Sequence, residues 1–181
     1  MKIPIEISGR HIHLSKKDYF KLFDEPMKIV KELSQEGEFA SDKFVELESV
    51  GNVRVLGPFR DSSQLEITLT DSWKLKKQIQ LRLSGDLDFA SKLVIKTRKA
   101  QIEVSTIIAM RHLHITDKDA ILLNLVNNDV VSVKTFGERS ITFHNVVVRV
   151  SSKYTSVFHI DVDEGNAAGL KGGETGMVLV K

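Results

Sequence analysis

The chain of 181 residues contains no cysteine, only three prolines, one tryptophan and no long run of apolar residues. Without cysteine there is no disulfide, no thiol nucleophile and no thiolate zinc knuckle. Any bound metal must then be held by imidazoles and carboxylates, a donor set typical of catalytic zinc with an open coordination position. No apolar run exceeds four residues, as in Ile107 to Met110, which argues against a membrane-spanning helix or a secretory signal and for a soluble, cytosolic protein. An excess of charge is also missing: 26 Lys+Arg oppose 24 Asp+Glu, a net +2. No basic field exists to recruit nucleic acid or anionic lipid, so neither is expected as a partner. A hydrophobic content of 41% does support a packed core.

What the chain has in abundance is alternation. Runs with a period of two occur at Phe44 to Leu47, Asn52 to Leu56, Gln64 to Thr70, Gln78 to Leu83, Leu93 to Thr97, Gln101 to Ala109, Val130 to Phe136, Ile141 to Val150, Phe158 to Asp163 and Gly176 to Val180. A first strand is expected over Ile3 to Ser8. Turn residues such as Gly57-Pro58, Ser84-Gly85-Asp86 and Asn127-Asn128-Asp129 separate them. Many short strands at this spacing predict barrels or sandwiches. Helices are expected only as short caps: after Ser15 with Asp18, after Thr116 with Asp119, and over Asp163 to Leu170.

A repeat organises the whole. Arg10-His11-Ile12-His13-Leu14-Ser15-Lys16-Lys17-Asp18 matches Arg111-His112-Leu113-His114-Ile115-Thr116-Asp117-Lys118-Asp119 at a constant offset, failing in kind only at Lys16 and Asp117. Two related halves are implied, each opening with a strand that carries two histidines and ends at a capped helix. The fold expected is mainly β, two small domains over residues 9–95 and 96–181.

Four of the six histidines therefore stand in two pairs. Residues i and i+2 of a strand share a face, so His11 with His13, and His112 with His114, can each chelate a metal. A catalytic zinc usually takes three protein ligands, and each pair needs one more. His144, His159 and strand carboxylates are the candidates, although His144 beside Asn145 reads as a surface residue. Asp161 shares the face of His159 and could orient its ring. Glu66 with Arg60 flanks the polar loop Asp61-Ser62-Ser63, a combination suited to holding a metal and an anion.

Five ordered motifs then carry a resemblance: Arg10 to Ser15; Asn52 to Arg60 running into Gln64 to Ile67; Arg82-Leu83-Ser84-Gly85-Asp86; Arg111 to Ile115; and His159 to Leu170. Together they resemble the phosphate propanoyltransferase family, the PduL-type phosphotransacylases, over essentially the whole chain. The resemblance implies a zinc enzyme that interconverts a short-chain acyl-CoA, acetyl or propanoyl, plus phosphate with acyl phosphate plus coenzyme A. It implies two β-barrels with short capping helices, strand 2–8 joining the second, an active site between them, and a homodimer. It places one zinc on His11, His13 and Glu66, a second on His112, His114 and His159, and phosphate on Arg60. Arg82 and Arg10 are candidates for the phosphates of coenzyme A.

The chain departs from the family at Ala90-Ser91, where Gly-Ser is frequent, and at Gly165, where alanine is usual. Both departures bear on acyl preference rather than on the reaction. No amphipathic N-terminal extension of the microcompartment-targeting kind precedes Ile3, so a free cytosolic enzyme is expected. Two other readings suit the same residue types: a two-metal phosphoesterase, and a metal or phosphate sensor without turnover.

Overall fold

A computed structural model describes residues 1–180. The alternating runs become strands β1 (Lys2–Ser8), β2 (His11–Ser15), β3 (Ile29–Glu32), β4 (Phe39–Leu47), β5 (Gly51–Arg60), β6 (Gln64–Ile67), β7 (Leu81–Arg82), β8 (Ser91–Lys96), β9 (Gln101–Ala109), β10 (His112–Ile115), β11 (Val130–Lys134), β12 (Thr142–Val150), β13 (Val157–Asp161) and β14 (Thr175–Leu179). Four helices of one or two turns interrupt them: α1 (Lys16–Leu22), α2 (Leu69–Lys74), α3 (Asp117–Leu123) and α4 (Val162–Ala168). Among the described residues no helix is long and apolar enough to cross a membrane.

The helices begin where a side chain can satisfy their first free amides. Ser15 accepts from the Asp18 amide and Thr116 from that of Asp119. Asp161 and Glu164 form a reciprocal capping box at α4. Thr68 does the same for α2, accepting from the Asp71 amide at 3.2 Å. The strand expected over Gln64 to Thr70 therefore stops at Ile67, because Thr68 turns the chain into a helix. The run Gln78 to Leu83 pairs only at Leu81 and Arg82, and β3 is an exposed edge strand that the pattern did not predict.

The chain divides into two compact units. The C-terminal unit comprises Met1–Ser8, Ser34–Glu36 and the chain from Met110 onward; the N-terminal unit comprises Gly9–Leu33 and Gly37–Ala109. The expected cut between residues 95 and 96 falls inside β8, which stays with its antiparallel partner β9 in the N-terminal unit.

In the C-terminal unit a closed barrel runs β1-β13-β10-β12-β11-β14. Its interior is filled by Ile3, Ile5, Leu113, Ile115, Val133, Val146, Val148, Phe158 and Ile160, the inward half of each alternating run. The N-terminal sheet closes too, since β8 pairs with both β4 and β9 and completes the ring β4-β5-β2-β6-β9-β8. Ile12, Leu14, Tyr19, Val53, Val55, Leu65 and Ile95 fill it.

The two rings share one pattern of strand directions. The histidine strand lies parallel to one neighbour (β2 to β5, β10 to β12) and antiparallel to the other (β6, β13). The next strand is parallel again, β9 beside β6 and β1 beside β13. Each strand that directly precedes a histidine strand thus belongs to the ring of the opposite half, so the repeat is a duplication with its first strands exchanged.

Close packing makes one glycine of the barrel irreplaceable in kind. A Cβ on Gly176 in β14 would lie 2.6 Å from Cγ1 of Val133 and 3.4 Å from the Lys134 carbonyl oxygen. Gly176→Ala should cost about 1–3 kcal/mol through overpacking. Gly9→Ala, where nothing lies within 4 Å, should not lower the melting temperature, and thermal denaturation of the two variants checks the contrast.

Candidate active site

Each ring presents two histidines from one strand and a third group capable of ligation from the antiparallel neighbour. In the N-terminal unit, β2 and β6 pair with His11 opposite Glu66. The rings of His11 and His13 share a face, with centroids 5.2 Å apart. Nδ1 of His11 lies 2.9 Å from the Gly9 carbonyl oxygen, which fixes the proton there and leaves Nε2 to face Glu66 Oε2 at 3.4 Å. Glu66 is itself held by the Gln64 amide and by the Ser84 hydroxyl, the latter at 2.8 Å.

Burial and neighbouring charge set the protonation of this cluster. Burial works against a charge on His11, but the Glu66 carboxylate outweighs it and the net shift is upward. Burial, then the adjoining His11 and Arg60, pushes His13 down to about 2. Burial also opposes the charge on Glu66, yet His11 and His13 hold its carboxyl well below the usual carboxylate range. The result is an anionic carboxylate beside a neutral His13, while Glu66 favours the proton on His11, which binding of a metal there would displace.

The C-terminal unit repeats the construction with a histidine in place of the acid. His112 pairs in register with His159 across β10 and β13. Their rings stack at 4.9 Å and 7°, and His114 meets His159 edge-on at 4.8 Å. Nδ1 of His112 lies 3.0 Å from the Met110 carbonyl oxygen, the counterpart of the contact at His11. His114 rests on the ring of Tyr154 at 4.2 Å, and burial, followed by His112 and Arg149, pushes it down to about 3.

Duplication extends to the supports. The Ser63 hydroxyl accepts from the Ser15 amide and donates to Asp18; that of Ser156 accepts from the Thr116 amide and donates to Asp119. Arg10 pairs with Asp71 through two 2.8 Å bonds, and Arg111 with Glu164 at 2.7 Å. Each arginine so anchors the helix that follows Glu66 or His159, α2 or α4, to the start of the strand of the histidine pair.

Within each cluster the potential ligand atoms all lie within 4.8 Å of one another. Nδ1 of His13 and both ring nitrogens of His114 are buried with no hydrogen-bond partner. An unpaired buried polar atom costs about 1–3 kcal/mol, and a metal ion on one nitrogen of each ring would remove that cost there. Three nitrogen or oxygen donors without sulfur suit zinc with an open position.

Arg60 ends β5 beside the N-terminal cluster. Its guanidinium donates to Ser84 Oγ at 3.1 Å and lies 3.5 Å from Glu38. Through Ser84 it connects to Glu66, so a planar cation stands one hydroxyl away from the buried carboxylate. Arg82 pairs with Asp86 at 3.0 Å, while Arg10 is committed to Asp71. His144 is exposed and bonds Ser132 at 2.8 Å.

Residues 4–171 match the sequence profile of a family described as phosphate propanoyltransferase. The chain belongs to that family. It is similar to the phosphate propanoyltransferase of Alkaliphilus metalliredigens, 43% identical over 187 residues that cover 99% of this chain and 88% of the relative. The corresponding protein of Clostridioides difficile is 39% identical, covering 99% and 90%. That of Salmonella typhimurium is 41% identical over 175 residues, covering 92% and 83%. The chain is accordingly an acyltransferase.

Beside the clusters of this phosphate propanoyltransferase family member stand residues that its sequence did not single out. Ser84 stood in a motif but its bonds to Glu66 and Arg60 depend on a loop folding back over β6. Tyr154 under His114 had no local signal at all. Asp161, expected to orient His159, instead accepts the Glu164 amide at 2.9 Å as the cap of α4. The carboxylate beside His159 is that of Glu6, brought there by the parallel pairing of β1 with β13.

Proposed function

We propose that the protein is a zinc-dependent phosphotransacylase that interconverts a short-chain acyl-CoA, acetyl or propanoyl, and phosphate with acyl phosphate and coenzyme A. Family membership supports the reaction class. The observation that carries the metal assignment is the matched register His11 opposite Glu66 and His112 opposite His159, each completing a three-donor cluster. One zinc would be held by His11, His13 and Glu66, and another by His112, His114 and His159. When bound, zinc supplies a Lewis acid that polarises an oxygen and stabilises developing negative charge.

Arg60 takes phosphate with paired hydrogen bonds from its fork. Its tether to Ser84 limits the directions in which that fork can point, so the phosphate is held with one oxygen free to attack. That oxygen bonds to the acyl carbon, the carbon–sulfur bond breaks, and coenzyme A departs as a thiolate that needs little protonation. No cysteine is present to accept the acyl group as an enzyme thioester, which favours direct transfer. Gln64 and Ser84 keep Glu66 engaged as a ligand rather than as a nucleophile. Arg82 and Arg10 are proposed only as contributors to the field felt by the phosphates of coenzyme A, and a homodimer is the proposed assembly.

The test is a thiol-release assay with propanoyl-CoA. Coenzyme A should appear only when phosphate is present, with acyl phosphate formed in equal amount. Release of phosphate from simple esters, independent of coenzyme A, would instead establish the phosphoesterase, and tight zinc without turnover of either substrate would establish a sensor.

A further inference from the structure

We propose that Glu6 is a positioning residue for His159: its carboxylate holds the Nδ1 side of the ring, Ser34 holds the carboxylate, and Nε2 is thereby presented to the metal. The proposal rests on His112, His114 and His159 forming a metal site.

A histidine ligand must offer a lone pair from one nitrogen and place its proton on the other. His11 and His112 solve this locally, each at the start of its strand with a carbonyl two residues back, from Gly9 and Met110. His159 cannot. It lies in the middle of β13, which is paired on one side with β1 and on the other with β10, so neighbouring carbonyls are committed to the two ladders. A side-chain acceptor stands close by instead, because the parallel register sets Glu6 directly across from His159.

Glu6 Oε2 stands 3.6 Å from Nδ1 of His159, an ion-pair separation slightly longer than a hydrogen bond. Its partner on the other side is the Ser34 hydroxyl, which donates to the same Oε2. Ser34 is well anchored. The adjacent Gln35 is 6% exposed, its Nε2 donates to the Thr155 carbonyl at 3.1 Å, and its Oε1 accepts from the Thr155 amide at 3.1 Å. The segment Ser34–Glu36, though it lies in sequence between β3 and β4, is thus built into the C-terminal unit.

The duplicated ring supplies a comparison. Glu66 occupies the place of His159, and its partner across the corresponding parallel ladder is Ile107, which offers no polar atom. A carboxylate ligand needs donors, and Glu66 receives them from Gln64 and Ser84. An imidazole ligand needs an acceptor, and Glu6 provides one. In each ring the helper matches the chemistry of the ligand it serves.

Zinc affinity measured by chelator competition tests this, in a His13→Ala background so that the C-terminal cluster is observed alone. Glu6→Gln keeps the shape of the side chain and removes its charge. It should weaken zinc about 10–100-fold at this cluster, with Ser34→Ala weaker in the same direction. In a His112→Ala background, which leaves only the N-terminal cluster, Glu6→Gln should leave zinc affinity unchanged. Nitrogen-15 spectra of the His159 ring should show the proton on Nδ1 in the parent and a mixed tautomer in Glu6→Gln. Unchanged affinity and an unchanged tautomer, even with a lowered melting temperature, would overturn the role of Glu6 while leaving the cluster assignment intact. Failure of the His13→Ala parent to bind zinc would overturn the cluster assignment and this proposal together.

Discussion

His112→Ala should remove one zinc per chain and lower acyl transfer about a thousandfold, leaving a folded protein. The ring of His112 stacks on His159 and has its Nδ1 fixed by the Met110 carbonyl, so its Nε2 is already oriented before a metal arrives. Truncation removes one of three donors and opens space that water will fill. A metal-stabilised charge is worth several kcal/mol, and about 4 kcal/mol corresponds to roughly three orders of magnitude in rate. The N-terminal cluster draws on residues of its own, His11, His13 and Glu66, and on the proposed assignment should keep its zinc. Elemental analysis for zinc and the thiol-release assay on the same preparation check both halves, and full zinc with full rate would refute the assignment of His112 as a ligand.

Arg60→Ala should produce the opposite split: zinc retained, transfer lost by about 100–1,000-fold, the range typical of removing one preorganised donor to a charged transition state. Arg60 is not a ligand, and its positive charge works against protonation of His11 and His13, so its loss does not open either cluster. What disappears is the fork proposed to hold phosphate, together with the bond to Ser84. Arg60→Lys should recover only part of the rate, because an ammonium restores charge without the planar pair of donors. Rate against phosphate concentration, with zinc content measured in parallel, separates this from a metal defect. If Arg60→Ala kept its rate at low phosphate, the anion site would have to lie elsewhere.

Much of this architecture is local in origin. The strand Gln101–Ala109 follows directly from alternation, and the caps at Ser15 and Thr116 from an oxygen three residues before an acid. The same cap signal stands at Thr68 and Asp71, where β-forming residues on its N-terminal side concealed α2. Isolated strand runs were less secure. Gln78 to Leu83 alternates well but finds a partner only at Leu81 and Arg82, because pairing is settled by what lies alongside.

The histidine pairs were visible for the same reason that strands are: a spacing of two puts both imidazoles on one face whatever the rest of the chain does. The third donor in each cluster was harder, since it comes from another strand. Alternation could nominate Glu66 and His159, but only the antiparallel registers opposite His11 and His112 bring them to the site.

By itself, then, the sequence determined the chemistry available and the local form: no thiol, imidazoles in duplicated pairs, a β-rich chain with short capped helices. These depend on residue identity and on neighbours a few positions away. The tertiary structure alone decided that the first strand of each half completes the ring of the other, that Ser84 ties Arg60 to Glu66, and that Glu6 rather than Asp161 stands at His159. Those outcomes depend on ladder register between segments far apart in the chain. Register is chosen by the burial of whole strand faces rather than by any single residue.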